Sequence, residues 1–208
     1  MTAIFINSFI LFFVTIDTIG NLPFFLSLTE GAKIKKRNQI ALKSIIIAFF
    51  IMITFAYLGR YLLEAIHVSL DSLKIAGGVI LMILAIDILF EKRKIRREKR
   101  VEEALEEKNF EDIIVFPIAF PFIAGPSALT TIILLIGNYT NFPEFQIPVI
   151  LALVAALIVS LVLMVGANFI IKYVHQQILH ATARVMAFIL AALATQFIID
   201  GIKASFNI

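Results

Sequence analysis

Long apolar stretches separated by short polar ones dominate the chain. Six of them approach the roughly 20 residues that a helix needs to cross a bilayer. They fall at about residues 3–28, 41–63, 73–90, 112–137, 147–171 and 183–202. The third is short, so a half-inserted helix is the alternative there. The pattern predicts an all-α polytopic membrane protein with six transmembrane helices.

Positive charge is distributed unevenly between the two sides of these spans. Of the 18 Lys and Arg residues, 15 lie in or beside the connecting stretches 29–40, 91–111 and 172–182, and three lie on the other side. Cytoplasmic loops carry the excess of Lys and Arg. Six spans therefore place these three loops in the cytoplasm and both termini outside.

Composition agrees with a membrane protein and excludes other classes. Hydrophobic residues make up 61% of the chain and charged residues 16%, whereas soluble domains have about 25% charged residues. Cysteine is absent, which excludes disulfides and thiolate metal sites. We assign the basic residues to the lipid surface rather than to nucleic acid. Three histidines near span ends show no metal-site spacing and are expected at the interface: His67, His175 and His180.

The charged stretch 91–111 contains the midpoint of the chain and predicts a division into two halves. Residues 1–90 and 112–208 each hold three spans, and each half begins with a span interrupted by Gly and Pro. Because three is odd, a repeat of three spans inserts upside down relative to the first copy. We therefore expect two three-helix inverted-topology repeats, with helices 1 and 4 broken at the midplane. The stretch 91–111 is expected to be a cytoplasmic charged linker, with a regulatory or lipid-binding role as the alternative.

The first break covers residues 17–23, which read Asp-Thr-Ile-Gly-Asn-Leu-Pro. Gly20 permits an unwound backbone, and Pro23 removes a hydrogen-bond donor. Asn21 is a good N-cap, so a helix is expected to restart there. Irregular backbone at membrane depth is tolerated where it is buried in protein or lines a cavity. The break is therefore expected to face the protein interior.

The second break covers residues 124–131, which read Ala-Gly-Pro-Ser-Ala-Leu-Thr-Thr. Gly125 loosens the chain, Pro126 suits a first helical position, and Ser127 adds a hydroxyl group. Thr130 and Thr131 follow on the restarted helix. We expect this break and the first one to form a single site.

Two half-helices whose N-termini point inward would hold a carboxylate, and freed carbonyls with Asp17 would hold an ammonium or a cation. A zwitterionic amino acid needs both kinds of group, and the small residues at the breaks leave room for a small side chain. The predicted substrate-binding residues are Asp17, Gly20, Asn21, Pro23, Gly125, Pro126, Ser127, Thr130 and Thr131. The alternative is a pair of kinks that only shape helix packing.

Asp87, near the cytoplasmic end of the third span, is a further acidic residue in an apolar stretch. Acids inside membranes often bind protons or cations. Asp17 and Asp87 are therefore the candidates for proton or cation coupling. A packing role for Asp87, paired with Lys92 or Arg93, is equally open.

Three blocks of the sequence, at residues 17–26, 74–81 and 115–131, carry a family resemblance. The second block reads Lys-Ile-Ala-Gly-Gly-Val-Ile-Leu, and the third contains Phe-Pro-Ile-Ala-Phe-Pro ahead of the second break. These blocks resemble, in order and over essentially the whole chain, the MarC family of six-span inner-membrane proteins. That family usually reads Asp-Pro-Ile-Gly-Asn in the first block, so Thr18 departs from it, whereas Ser127 fits.

The resemblance implies an inner-membrane location and, through the family's SnatA-type exporters, export or exchange of small neutral amino acids such as alanine and glycine. No cofactor is implied, and a coupling ion would be H⁺ or Na⁺. The expected partners are therefore a small neutral amino acid and the lipid bilayer, while the oligomeric state stays open.

Three other functions compete with amino-acid transport. They are a transporter or channel for another small solute or ion, a structural or assembly factor, and an intramembrane aspartyl protease. The protease is disfavoured because Ala85 and Ile86 precede Asp87, where the protease signature has Gly-x-Gly-Asp. No Gly-x-x-x-x-Gly-Lys loop is present either, which disfavours ATP as the energy source. We therefore expect a transporter and not an enzyme.

Overall fold

The fold is described from a computed structural model, which covers residues 1–65, 67–90, 110–139, 142–167, 169 and 176–206. This part of the chain is helical and contains no strand. Its helices are α1 (Thr2–Ile16), α2 (Thr18–Leu28), α3 (Ile34–Ala65), α4 (Leu70–Leu89), α5 (Pro126–Asn138), α6 (Pro143–Val165) and α7 (Gln176–Phe206). Between α4 and α5 runs a kinked, wide-turn segment, Ile114–Ile123, which we name the double-proline segment.

Within the described residues, five helical stretches are long and apolar enough to cross a membrane, or six if the bent pair is one span. They are Thr2–Leu28, Ile34–Gly59, Asp71–Leu89, Pro143–Val165 and Ala187–Phe206, with Ile114–Ile123 and Pro126–Asn138 as the bent pair. The all-α membrane fold is confirmed. The third stretch has 19 residues in one helix, which is long enough for a full span.

Two helices extend beyond their predicted spans. The third helix, α3, begins at Ile34 rather than near residue 41, and α7 begins at Gln176 rather than near residue 183. The stretches 29–40 and 172–182, predicted as loops, are therefore partly helical. Polar and basic residues in water are compatible with helix, so the edge of the apolar stretch need not end it. Residues 91–109 of the predicted linker, including Lys92 and Arg93, and also His175, lie outside the described residues.

The tightest helix pair is α4 with α7, the third spans of the two halves. A Cβ atom added at Gly78 would lie 2.7 Å from the carbonyl oxygen of Ala194, and one at Gly201 would lie 2.9 Å from that of Asp71. Small residues let helix backbones approach closely in membranes. Gly78 and Gly201 thus allow α4 and α7 to pack closely.

The remaining spans pack crosswise between the halves. The first span (α1 and α2) packs on α6, and the double-proline segment and α5 pack on α3. The main buried cluster includes Phe12, Phe25, Ile118, Ile132 and Leu153. Large apolar side chains also cover the outside, as expected of a surface that faces lipid. Examples are Phe50, Leu58, Leu151, Val162 and Phe188.

Two ion pairs fasten the start of α3 to the start of the fourth span. Glu111 pairs with Lys36 and, at 3.3 Å, with Lys43. One turn deeper, Ser44 Oγ donates a hydrogen bond of 2.9 Å to the carbonyl oxygen of Ile114. The hydrogen bond from Lys36, followed by that from Lys43, lowers the pKa of Glu111. This carboxylate is solvent-exposed, so the pairs are screened by salt.

Candidate functional site

The first span breaks at Asp17, which adopts a left-handed backbone conformation with φ 50° and ψ 52°. Aspartate is one of the few residues that tolerate this conformation. Its N–H donates to Phe13 O at 3.2 Å, and its carboxylate Oδ1 accepts from the N–H of Gly20 at 3.3 Å. Asp17 therefore ends α1 and caps the N-terminus of α2.

The prediction that Asn21 is the N-cap is wrong, because α2 begins at Thr18 and Asn21 lies inside it. A single left-handed Asp17 produces the break, and no unwound stretch follows it. Gly20 lies in the helix, where an added Cβ would be 2.5 Å from Asp17 Oδ2. Its role is therefore to make room for the capping carboxylate. Pro23 also lies within α2 rather than in its first turn, and it is exposed.

The fourth span is also interrupted. It bends by 58° between the double-proline segment and α5. Phe116 and Phe120 have extended backbone, and each precedes a cis proline. Gly125 is extended and is the N-cap of α5, and Pro126 occupies the start of that helix as predicted. A Cβ at Gly125 would lie 2.6 Å from Pro121 O, so this position requires glycine.

Two hydrogen bonds join the two breaks directly. In the first, the side-chain nitrogen of Asn21 donates to Phe122 O at 3.0 Å, and the same nitrogen also donates to Ile16 O, within its own span, at 2.9 Å. The second comes from Ser127, whose Oγ donates to Thr15 O at 3.3 Å. The last carbonyl oxygens of α1 have no N–H donor within the helix, and here they accept hydrogen bonds from the side chains of Asn21 and Ser127. Asn21 and Phe122 are 101 residues apart in sequence, so the two interrupted stretches form one junction.

The side chain of Asn21 is only partly satisfied at this junction. It is 4% exposed, and its Oδ1 is buried without a hydrogen-bond partner among the described residues. Buried polar atoms in proteins are nearly always paired. The junction therefore contains a buried acceptor that no described residue satisfies.

The N-termini of the two half-helices differ, contrary to the symmetric expectation. The end of α2 is occupied by the Asp17 carboxylate, whereas α5 has no side-chain cap. The first N–H groups of a helix lack partners within it and carry the positive end of the helix dipole. Ser127 and Ala128, next to Pro126, present such groups. Of the two half-helices, α2 therefore begins at a side-chain cap and α5 does not.

Thr130 and Thr131 are buried, but their hydroxyl groups bond within α5. Thr130 Oγ1 donates to Pro126 O at 2.9 Å, and Thr131 Oγ1 donates to Ser127 O at 2.8 Å. The methyl group of Thr130 packs close to Gly77 of α4, where an added Cβ would be 2.7 Å away. Pro126 itself is exposed. These residues shape the start of α5, while Ser127 and Asn21 make the contact between the breaks.

Asp87 is buried at 7% exposure in the last turn of α4. Its neighbours Ala85 and Ile88 belong to a buried cluster that also includes Ala187 and Leu190 of α7 and Val14 of α1. The two breaks lie in the first and fourth spans. Asp87 itself lies on α4, the third span.

One contact at the junction was not predicted from the sequence. The hydroxyl groups of Thr18 and Ser160 share a short hydrogen bond, and Ser160 Oγ donates to Ala156 O at 2.9 Å. Both side chains are buried, so this pair ties the start of α2 to α6. The available signal was Ser160 itself, which is the one polar residue in the stretch 148–165.

The fold and the joined breaks define a multi-pass α-helical integral membrane protein with two interrupted spans in contact. Residues 2–206 match the model of the family described as "MarC family integral membrane protein". The chain belongs to the MarC family.

Curated relatives from archaea and bacteria align over nearly the whole chain. A UPF0056 membrane protein of Archaeoglobus fulgidus is 36% identical over 95% of this chain and 92% of its own length. One from Methanocaldococcus jannaschii is 32% identical over 98% of this chain and 88% of its own. The Bacillus subtilis membrane protein YvbG is 28% identical over 100% of this chain and 98% of its own. No solved structure matches.

Proposed function

We propose that this protein is a transporter that exports or exchanges small neutral amino acids, such as alanine and glycine, by alternating access. The observation that carries the proposal is the junction of the two breaks. Asn21 of the first span bonds to Phe122 of the fourth at 3.0 Å. In transporters, substrates bind near the midplane where interrupted helices meet.

The junction offers separate places for the two charges of a zwitterion. The uncapped N-terminus of α5, at Pro126 to Ala128, suits a carboxylate. Asp17 and Asn21 Oδ1 suit the ammonium group. This division follows from the different caps on α2 and α5.

The size of the substrate is limited by the residues at the second break. Ala124, Gly125, Ser127 and Ala128 are all small and buried. Glycine at 125 is required by the approach of Pro121 O. Such a lining supports a substrate with a side chain of hydrogen or methyl.

Helix pairing supports the inverted repeat on which alternating access would depend. The first span packs on the fifth, the fourth packs on the second, and the third packs on the sixth. If the two halves, residues 1–90 and 112–208, are exchanged, spans 1, 2 and 3 take the places of spans 4, 5 and 6, and the same three pairs result. We propose that the halves are two such repeats joined by the cytoplasmic linker 91–111, with both termini outside the inner membrane and the loops within 29–40 and 172–182 in the cytoplasm.

The coupling ion is proposed to be H⁺ or Na⁺, acting through Asp17. This carboxylate lies at the junction, whereas Asp87 is buried in the last turn of α4, which makes it the second candidate. A transporter for another small solute is the alternative, favoured if the acceptor on Asn21 binds a donor other than an ammonium group.

Ligand-dependent thermal unfolding in detergent tests the proposal. A ligand that binds the native state at 100 times its Kd stabilises it by about 2.7 kcal/mol. Glycine and alanine are expected to raise the Tm. Propionate, which lacks the ammonium group, and ethylamine, which lacks the carboxylate, are expected not to. A folded protein that responds to none of the small neutral amino acids would refute the proposal.

A further inference from the structure

The amide of Asn21 has a defined orientation. Two carbonyl oxygens, those of Ile16 and Phe122, lie 2.9 and 3.0 Å from one terminal atom of the side chain. Carbonyl oxygens only accept hydrogen bonds, so that atom is the amide nitrogen. The flipped orientation would place an oxygen against two others. The Oδ1 atom therefore has to occupy the other position, where it is buried without a partner among the described residues.

We propose that Asn21 is the specificity-determining residue that restricts the ligand to nitrogen groups that carry a hydrogen. The inference rests on the proposed function and assigns the recognition of the ammonium group to Asn21. An amide oxygen in a buried place requires a donor, and an ammonium group supplies N–H donors with a positive charge. A quaternary ammonium group of similar charge supplies none. The site thus accepts amino acids and rejects their fully N-methylated analogues.

The two ends of the Asn21 amide also connect ligand binding to the junction. Its nitrogen bonds to Ile16, at the end of α1, and to Phe122, in the double-proline segment. A donor on the oxygen polarises the amide and strengthens the bonds that its nitrogen donates. A bound ammonium group thereby tightens the contact between the first and fourth spans. Hydrogen-bond donation, and not charge alone, is what the junction detects.

A series of N-methylated glycines tests this assignment on the unaltered full chain in detergent. Competition against labelled glycine is measured with N-methylglycine, N,N-dimethylglycine and N,N,N-trimethylglycine. The affinity is expected to fall by roughly tenfold or more at the last methyl group, which removes the last N–H, because this leaves the buried acceptor unpaired. Alanine and 2-aminoisobutyrate add methyl groups on carbon instead, and their single-methyl steps are expected to be smaller.

Variants locate the effect at Asn21. In Asn21→Leu, which has a similar volume but no polar atoms, the last-methyl step is expected to shrink to the size of the carbon-methyl steps. The control is Gln196→Leu, which removes an exposed amide whose Nε2 donates to Asp200 at 2.7 Å, and it should keep the full step. If Asn21→Leu does not fold, Asn21→Ala, which also lacks the amide, replaces it in the same comparison.

The outcomes separate this inference from the proposed function. Glycine binding with equal affinity for dimethyl- and trimethylglycine overturns the assignment and leaves amino-acid transport in place. A full last-methyl step in folded Asn21→Leu does the same. Folded protein that does not bind glycine or alanine overturns both.

Discussion

At the scale of single residues, the first break depends on one aspartate. Asp17 supplies the left-handed turn, and its carboxylate caps α2 through Gly20. Aspartate and asparagine share both abilities, since both tolerate this backbone and both are strong N-caps. They differ in charge. Substitutions at this position can therefore separate the effect of Asp17 on stability from its effect on ligand binding.

We expect Asp17→Asn to keep the stability of the protein and to weaken glycine binding, because the cap remains and the charge is lost. Asp17→Ala is expected to lose about 1 kcal/mol of stability as well. Denaturant unfolding and glycine competition measure the two effects. Ser69→Ala is the control, since Ser69 caps α4 at an exposed end through Ser72. It should lower stability and leave glycine binding unchanged. Unchanged glycine binding by Asp17→Asn would contradict a role for the charge.

At the scale of helices, the hydroxyl pair Thr18–Ser160 holds the half-helix α2 against α6. A double-mutant cycle with Thr18→Val and Ser160→Ala should give a coupling of about 0.6 kcal/mol, with about 1.7 kcal/mol as the upper bound for such bonds in membranes. Thr195→Val is the matched control, because Thr195 bonds to Ala191 in its own helix. Combined with Ser160→Ala, it should be additive. A coupling of zero for Thr18 and Ser160 would show that the pair does not hold α2.

The contact of α4 with α7 is a second feature at this scale. Gly78→Val places a side chain against the backbone of Ala194, which cannot move independently of its helix. We expect a loss of stability of about 1–3 kcal/mol, as for other overpacked positions. Thermal unfolding in detergent measures it. The neighbouring Val79, which is 44% exposed on the lipid side, provides the control Val79→Ala. Equal stability of the two variants would contradict the close packing.

At the scale of the whole molecule, the spans were predictable because each depends on a long local run of apolar residues. The positions of the breaks were also visible, since Gly and Pro are conspicuous in such runs. Their internal structure was not, because Asp17 and Asn21 are both good caps and sequence spacing does not choose between them. The bonds from Asn21 to Phe122 and from Thr18 to Ser160 join residues far apart in sequence. Such pairs leave no local pattern.

The orientation predicted from charge is also a property of the whole molecule. Because the chain has no cysteine, single exposed cysteines can report it without background. In intact cells, a membrane-impermeant maleimide should label Thr2→Cys and Glu144→Cys, and it should label Lys33→Cys only after permeabilisation. All three positions are exposed. The reverse pattern would place the termini in the cytoplasm.

The central claim is that the joined breaks carry small neutral amino acids across the membrane. Counterflow in proteoliposomes tests it most directly, with unlabelled alanine inside and labelled alanine outside. We expect labelled alanine to accumulate above the level of protein-free liposomes, and we expect the Asn21→Leu variant to lose most of this uptake. Folded, reconstituted protein that shows no counterflow with alanine or glycine at any pH tested would contradict the account.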